Sequence, residues 1–361
     1  MPARVDVMMP AYNAASTLRE AIDSLRAQTL RDIRIIVVDD GSTDDTPAML
    51  AALAAEDARV VVLPKDNDGI VEARNDALAA CEAEFVACLD ADDAAFPERL
   101  ARQLSYLELH PDCVGLGGEV QHVDESGATI AGMTQQGDPG LADPVQAPAL
   151  EPYIVHSTFM ARRADVVAVG GYRHVPNSED SDLFWRLAER GALVNLPEVF
   201  GKYRVHTASI SSSIINGRVM AVGSQLGALS ALRRRAGRPD IPFPRELHAS
   251  LRAAMTLEKM CTVAARDLEA DEADHLRVAA AAKLMELSRY RPYEPDATDC
   301  AFVRSALPHA AAMSAKNRKE IDWYVTVTAA RLVRKGMLAE ALALTPPRNY
   351  PVAAARVLLS R

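Results

Sequence analysis

Carboxylates gather at three points in this 361-residue chain. Asp39 and Asp40 follow one apolar run, Asp90, Asp92 and Asp93 follow another, and Glu179, Asp180 and Asp182 stand together far downstream. Two kinds of chemistry suit such groups. Acids crowded into one turn repel each other unless a cation or water intervenes, and hard divalent cations such as Mg2+ and Mn2+ take oxygen ligands. A carboxylate that stays ionised near neutral pH can instead take a proton from a hydroxyl as a general base. The acids alone force neither reading. An isolated Asp-x-Asp is more often a solvated turn that caps the next helix, and acids at 179–182 equally suit the positive end of a helix dipole.

What must position these acids is a strand–helix alternation. Residues 5–9 read as a strand that stops at Pro10, Ala11, Tyr12 and Asn13. Ser16 then suits an N-cap, with Leu18, Ile22 and Leu25 on one helical face. Residues 33–38 are a β-branched run of the kind found in strands covered on both faces, and they deliver Asp39 and Asp40. Thr46 suits an N-cap and Pro47 the first helical position. Residues 60–63 form a third strand, and a polar loop leads to a helix carrying Ala73, Arg74, Ala77 and Leu78. Residues 85–89 are a fourth strand, ending at Asp90, and Pro97 opens the helix of Leu100, Leu104 and Leu107.

Such alternation with short connections predicts an α/β fold: a mainly parallel sheet with helices on both faces and its strand ends opening on one edge, where ligands bind. Residues 113–118 and 153–160 read as further strands, 126–152 as a long loop, and 193–206 as strand and edge. A helix follows the acids at 179–182 and carries Trp185, whose usual place is the core and whose alternative is an exposed stacking surface. After about residue 216 the strand signals fade into Ala-rich helical segments, with breaks at 237–244, 291–295 and 345–349. Two domains are expected, 1–216 and an all-α region 217–361.

Charge and composition exclude several classes. Residues 1–216 hold 17 Lys and Arg against 34 Asp and Glu, a net of −17, whereas the remainder has a net of +8, for a total of −9. An acidic N-terminal part cannot neutralise a phosphate backbone, so no nucleic-acid partner is expected. The basic part includes Arg233, Arg234, Arg235 and Arg238, which suggest peripheral contact with an anionic membrane face or simply a solvated helix end. No apolar stretch reaches the roughly 18 residues of a membrane span. The N-terminal residues lack a secretory apolar core, so a cytoplasmic setting is expected. Five cysteines without a C-x-x-C pair read as small buried hydrophobes. There is no G-x-G-x-x-G after the first strand and no P-loop, which argues against a dinucleotide or NTPase site.

The motifs in their order resemble the family 2 glycosyltransferases, which have the GT-A fold. The matching pieces are MMPAYNA at 8–14, VVDDGSTDDT at 37–46, Gly69 with Ala73-Arg74-Asn75, the D-x-D motif LDADD at 89–93, VGGYR at 169–173, SEDSDLFWRLAERG at 178–191 and YRVH at 203–206. The resemblance ends at about residue 216.

It implies transfer of a sugar from a nucleotide-sugar donor to a hydroxyl of a saccharide or lipid-linked acceptor, in bacterial surface polysaccharide or glycoconjugate synthesis. Pro10, Ala11 and Tyr12 would flank the base, and Asp40 or Asp39 would accept its imide N–H, which favours UDP- or dTDP-sugars. Arg74 would lie near the diphosphate and Asp90 at the ribose. Asp92, with Asp90, would hold Mn2+ or Mg2+, and His206 is a further possible ligand. Asp180 matches the general base of an inverting displacement. Glu179 and Trp185 would lie on the acceptor side, and Asp93 has no assigned role. Two other readings compete. A sugar nucleotidyltransferase would need a Gly/Arg-rich phosphate loop where Pro10-Ala11-Tyr12-Asn13 stands, and an inactive GT-A scaffold would have lost acids that are all present here.

Overall fold

The computed structural model describes residues 3–133, 137–205 and 213–359. They divide between two compact units. The first draws on Met1–Leu141, Pro152–Arg173 and Glu179–His206, the second on Ala142–Glu151, His174–Ser178 and Thr207–Arg361.

In the first unit the expected alternation is β1 (Val5–Ala11), α1 (Leu18–Arg26), β2 (Ile33–Asp40), α2 (Thr46–Glu56), β3 (Val60–Lys65), α3 (Ile70–Ala80) and β4 (Phe85–Cys88). Then come β5 (Ala94–Ala95), α4 (Arg99–Leu109), β6 (Cys113–Val123), β7 (Thr129–Met133), β8 (Met160–Arg162), α5 (Arg163–Ala168), α6 (Glu179–Ala188) and β9 (Ala192–Arg204). The sheet runs β3-β2-β1-β4-β8-β6-β9-β5, with β7 beside β6. Strands β3, β2, β1 and β4 are mutually parallel. Beyond them β8 pairs antiparallel with both β4 and β6, while β9 is parallel to β6. The sheet is therefore parallel in its first half and mixed in its second.

Period-two alternation along β1 separates two cores. Val5, Val7 and Met9 face Leu18, Ile22 and Leu25 of α1, Leu50 and Leu53 of α2, and Leu100 and Leu104 of α4. Met8, with Ile36 and Val38 of β2, faces Ala73 and Ala77 of α3 and Leu183, Phe184 and Leu187 of α6. Both faces are covered by helices, which is why β2 carries no polar residue between Ile35 and Val38.

Two expectations need correction. Residues 153–160 are not one strand: His156–Thr158 is a single 3-10 turn, and only Met160–Arg162 pairs in the sheet. Thr158 closes the turn, its hydroxyl donating to the Val155 carbonyl at 2.9 Å. Local side-chain bonding of this kind competes with a strand ladder, and periodicity cannot register it. The long loop at 126–152 is also partly ordered. Asp124 Oδ1 accepts from the amides of Ser126 (2.9 Å) and Ala128 (3.0 Å), and Gly127 takes φ +84°, so β6 turns tightly into β7.

Asp6 locks the parallel half. It sits opposite Arg34 in the β1–β2 register and is fully buried. Arg34 binds it bidentately, Nε to Oδ1 at 2.8 Å and Nη2 to Oδ2 at 2.7 Å, and the amides of Glu82 and Ala83 donate to Oδ2 at 2.6 and 2.8 Å. The entry to β4 is thus tied to β1 by one carboxylate. Burial opposes the charge, but these donors hold the Asp6 carboxyl below its ordinary value.

The second unit is helical: α7 (Ile214–Arg235), α8 (Glu246–Ala254), α9 (Leu257–Ala264), α10 (Ala270–Leu287), α11 (Ala297–Ala306), α12 (Ala315–Arg334), α13 (Leu338–Leu344) and α14 (Tyr350–Leu359). Capping boxes start α10 (Glu269/Glu272) and α11 (Asp296/Asp299). The breaks between helices fall where proline and glycine cluster, and Gly336 at φ +78° turns α12 into α13. Buried alanines 279–282 of α10 lie in the core that α7 shares. The basic cluster carries its own countercharge. Arg233 pairs with Glu272 at 2.6 Å, Arg234 with Asp240 at 3.1 Å, and Arg238 with Glu269 at 2.7 Å. The feature that suggested anionic-membrane contact is thus largely neutralised within the unit. No helix among the described residues is long and apolar enough to cross a membrane.

The Asp6 arrangement predicts that Asp6→Asn loses about 3 kcal/mol of stability, the usual cost of breaking a buried pair. Its sign with pH is also set. A depressed carboxyl stabilises fully above its unfolded value and loses that contribution as pH falls through the folded value. Urea unfolding of wild type and Asp6→Asn at neutral pH and near pH 3 should therefore show the gap between them narrowing in acid.

Candidate active site

The C-terminal ends of β1, β2 and β4 open on one edge of the sheet, and cross-braces hold the loops that follow them. Asn13, at φ +50°, accepts from the Thr43 amide at 2.8 Å, and its own amide donates to Ser42 Oγ at 2.9 Å. The Ala14 amide donates to Thr46 Oγ1 at 2.8 Å. Thr46 is therefore a strut between the loops after β1 and β2, and Asp45 takes the cap position of α2. Likewise Thr17, not Ser16, precedes α1, and its hydroxyl donates to the Ala91 carbonyl at 2.9 Å. These hydroxyls satisfy neighbouring loops, a role that local capping patterns do not reveal. Pro10 and Ala11 end β1 buried, and Tyr12 is exposed beside them.

The two acids after β2 separate in role. Asp40 accepts from the amide of Asp68 through Oδ1 (2.9 Å) and of Gly69 through Oδ2 (3.0 Å), while Asn67 Nδ2 donates to its carbonyl at 2.8 Å. Its carboxylate thus binds the N-terminus of α3, where negative charge is favoured by the helix dipole. Gly41 allows the approach: it takes φ +73°, and a Cβ there would lie 2.5 Å from the Asn67 nitrogen. Asp39 is left as the acid whose carboxylate does not hold α3; among the described residues its Oδ1 accepts from the Ser42 amide, at 3.1 Å.

Bracketed in this way, α3 carries Arg74 into the centre of the acids. Arg74 Nη1 donates to Glu179 Oε1 at 2.6 Å, Nη2 lies 3.6 Å from Asp90 Oδ1, and the guanidinium sits 5.5 Å over the Tyr172 ring. Burial opposes its charge, yet Glu179 and Asp90 outweigh burial and raise it. Glu179 and Asp180 are the first two residues of α6. Asp180 Oδ1 accepts from the Ser181 amide at 2.7 Å. Burial and the adjacent Glu179 carboxylate raise the Asp180 carboxyl against the pull of His156 and Arg74. A carboxylate raised in this way is a stronger base than an ordinary one.

The acids at 90–93 also divide. Burial would raise Asp90, but His156 and Arg74 bring it down to about 2. Burial and the charges of Asp90 and Asp92 push Asp93 well up. Asp93 is buried, and its Oδ1 accepts from the Arg204 amide of β9 at 2.8 Å. It is a structural carboxyl joining the turn to β9. Arg204 also donates from Nε to the Asp92 carbonyl at 2.9 Å and from Nη2 to Glu20 at 2.5 Å. Asp92 itself is half-buried. Beneath the turn, the fully buried Arg99 donates to the Cys88 carbonyl at 2.7 Å and to Gln103 at 3.0 Å, and burial lowers it to about 10.

Two sequence assignments change. Asp182 is no cap: it is fully buried and paired with Arg173 and Arg186, Nε of Arg186 lying 2.9 Å from Oδ2. Trp185 is 1 % exposed, so its ring faces are enclosed and offer no stacking surface for a sugar. His206 lies outside the described residues. The sequence reading missed His156, Tyr172 and Arg99. Tyr172 stood within a matched motif, but its place beneath Arg74 depends on Asn75, whose side chain bonds both its amide (2.8 Å) and its carbonyl (2.9 Å).

For a divalent cation, the described residues hold no cluster of three His, Cys, Asp or Glu. Two carboxylates in one turn, one of them firmly ionised, nevertheless fit an ion of the Mg2+ or Mn2+ kind, which keeps several waters and takes substrate phosphates as further ligands.

Comparison with known proteins agrees with this geometry. Residues 6–169 match Glycosyl transferase family 2. An uncharacterized glycosyltransferase of Haemophilus influenzae is 30% identical over 217 residues, 58% of this chain and 67% of the relative. The amylovoran biosynthesis glycosyltransferase AmsE of Erwinia amylovora is 30% identical over 216 residues, 59% of this chain and 78% of the relative. Among solved structures, the mannosyltransferase PcManGT of Pyrobaculum calidifontis, in complex with GDP-Man and Mn2+, aligns with TM-score 0.53 at 17% identity over 100% of this chain and 88% of its own. S. aureus TarS 1-349 with UDP-GlcNAc aligns with TM-score 0.51 at 18% identity, over 92% of each chain. The fold is thus GT-A, an α/β unit followed by an all-α region. The chain belongs to glycosyltransferase family 2 and is an enzyme of that class.

The division of labour after β2 gives a test. Asp40→Ala should cost about 1 kcal/mol, the usual worth of a helix N-terminal acceptor. Asp39→Ala should cost clearly less. Urea midpoints of the two variants measured side by side would show this order, and equal losses would contradict it.

Proposed function

We propose that the chain is an inverting, metal-dependent glycosyltransferase that moves a sugar from a nucleoside-diphosphate sugar to an acceptor hydroxyl. The observation that carries this reading is the Arg74 guanidinium, which bridges Glu179 and Asp90 and so brings the base candidate at the start of α6 to the acids after β4. In this reading Asp180 takes the proton of the acceptor hydroxyl as its oxygen attacks the anomeric carbon from the face opposite the leaving group. Direct in-line displacement inverts configuration, by the geometric logic that separates inverting from retaining glycosidases. Glu179 keeps Arg74 in place and lies on the acceptor side. Arg74 faces the diphosphate and Asp90 the ribose.

Asp92, with Asp90 beside it, would hold a Mn2+ or Mg2+ ion. Bound there, such an ion supplies charge neutralisation for the departing nucleoside diphosphate. Pro10, Ala11 and Tyr12 line the base position. Asp39 is the acceptor for the base, since Asp40 is occupied with α3, and an imide N–H of uracil or thymine suits a fixed carboxylate. This favours UDP- or dTDP-sugars. The relative named for amylovoran biosynthesis supports a saccharide or lipid-linked acceptor in bacterial surface polysaccharide synthesis. In this reading the donor-binding and catalytic groups fall in residues 1–216.

A panel of UDP-, dTDP- and GDP-sugars with Mn2+ tests this, read by thermal shift and by nucleoside-diphosphate release. Asp180→Asn should lower kcat by roughly 10²- to 10⁴-fold, the range for a lost general base, with donor binding kept. Asp92→Ala should abolish the response to Mn2+. If no nucleotide sugar raises the unfolding temperature of the wild type, the reading fails, because a ligand of the native state must stabilise it.

A further inference from the structure

His156 is a buried polar group that the reaction above leaves unused. It is 7 % exposed and stands on the 3-10 turn His156–Thr158, between β6 and β4 in the sheet edge that bears the acids. Its Nε2 is 2.8 Å from the Tyr172 hydroxyl. Its Nδ1 has no hydrogen-bond partner and lies 3.8 Å from Asp90 Oδ1. An unpaired buried donor is costly, and such groups persist where a site uses them.

The ring has little freedom to turn away. Tyr172 is itself fixed, by Asn75 on both sides of its backbone and by the Arg74 guanidinium over its ring. Gly171 before it takes φ +67° and is approached by Asn75 Oδ1 to within 2.6 Å of where a Cβ would stand, so the backbone there has one path. Nε2 anchored at Tyr172 leaves Nδ1 directed at Asp90. The same oxygen, Oδ1, is the one that Arg74 Nη2 approaches at 3.6 Å. Two cation-capable donors therefore converge on one oxygen of Asp90, which is 30% exposed in its side chain.

We propose that His156 is a positioning residue for donor binding: anchored by the Tyr172 hydroxyl, it presents Nδ1–H to Asp90 Oδ1, so that Asp90 turns its other oxygen to accept from a ribose hydroxyl of the nucleotide sugar. The proposal rests on the donor site described above. It assigns a function to a chain of contacts, Asn75 to the Tyr172 backbone, the Tyr172 hydroxyl to His156, and His156 to Asp90, that links α3 to the acidic turn. His156 acts through Asp90 and is expected to affect how tightly the donor is held more than how fast the held donor reacts.

The test uses the full chain with Mn2+ and the nucleotide sugar, or its nucleoside diphosphate, that stabilises the wild type most. An asparagine amide can reach the place of Nδ1, whereas a glutamine amide reaches that of Nε2. His156→Gln and Tyr172→Phe should each raise the donor Kd and KM about tenfold, with kcat within about twofold. His156→Asn should restore most of that loss, to within about threefold of the wild type. Unfolding temperatures without ligand, compared across the three variants, separate binding from folding. Equal donor affinity in wild type and His156→Gln would overturn the proposal, as would equal losses in the Gln and Asn variants, which indicate packing alone. A loss confined to kcat would also overturn it. If no nucleotide binds the wild type, the donor site itself is wrong and this proposal falls with it; binding that Asp90→Asn abolishes but His156→Gln leaves intact removes His156 alone.

Discussion

Crowding carboxylates at one edge of a sheet is the constraint on which this molecule depends. Asp90, Asp92, Asp93, Glu179 and Asp180 would repel one another at close range, and burial makes each charge costlier to keep. The Arg74 guanidinium meets this constraint. It is buried, bonds Glu179, approaches Asp90, and lies over the Tyr172 ring. A guanidinium suits this place because it stays charged when buried and offers several donors in a fixed plane.

Much of the surrounding structure serves to hold that one cation. Helix α3, which carries it, is bound at its N-terminus by the Asp40 carboxylate. Asp40 in turn ends β2, whose register with β1 is locked lower down by Asp6 and Arg34. Cross-braces from Asn13, Thr17 and Thr46 keep the neighbouring loops apart at fixed distances. Rigidity of this kind matters for transfer chemistry, since polar groups arranged beforehand stabilise developing charge without reorganising as it forms.

The acids themselves are separated by environment into different tasks. Asp93 is buried and raised, and joins the turn to β9. Burial opposes the Asp90 charge, but His156 and Arg74 bring its carboxyl down to about 2 and so favour the ionised form. Asp180 is raised at the head of α6. Acids in one site whose environments push them apart are those to which separate roles can be assigned. In the helical unit the same economy of charge is visible, where Arg233, Arg234 and Arg238 each find an acid.

What the amino-acid order determined by itself was local and periodic. The β-branched run before Asp39, the apolar strand before Asp90, and the helical spacing of Leu100, Leu104 and Leu107 each specify an element within a few residues, so the α/β alternation and the later helices were legible. So were the motifs, because family resemblance is carried by ordered residues and needs no coordinates. Only the tertiary structure decided which side chains meet. Asp39 and Asp40 look alike in the chain, yet one amide pair some 28 positions on separates them. Trp185 could have faced a sugar until its burial was known. His156 lay in an apparent strand, and it becomes part of the site because Thr158 closes a turn and Tyr172, 16 residues later, anchors its ring. Contacts between distant residues depend on backbone paths that no local pattern encodes, and the chemistry of this site consists of such contacts.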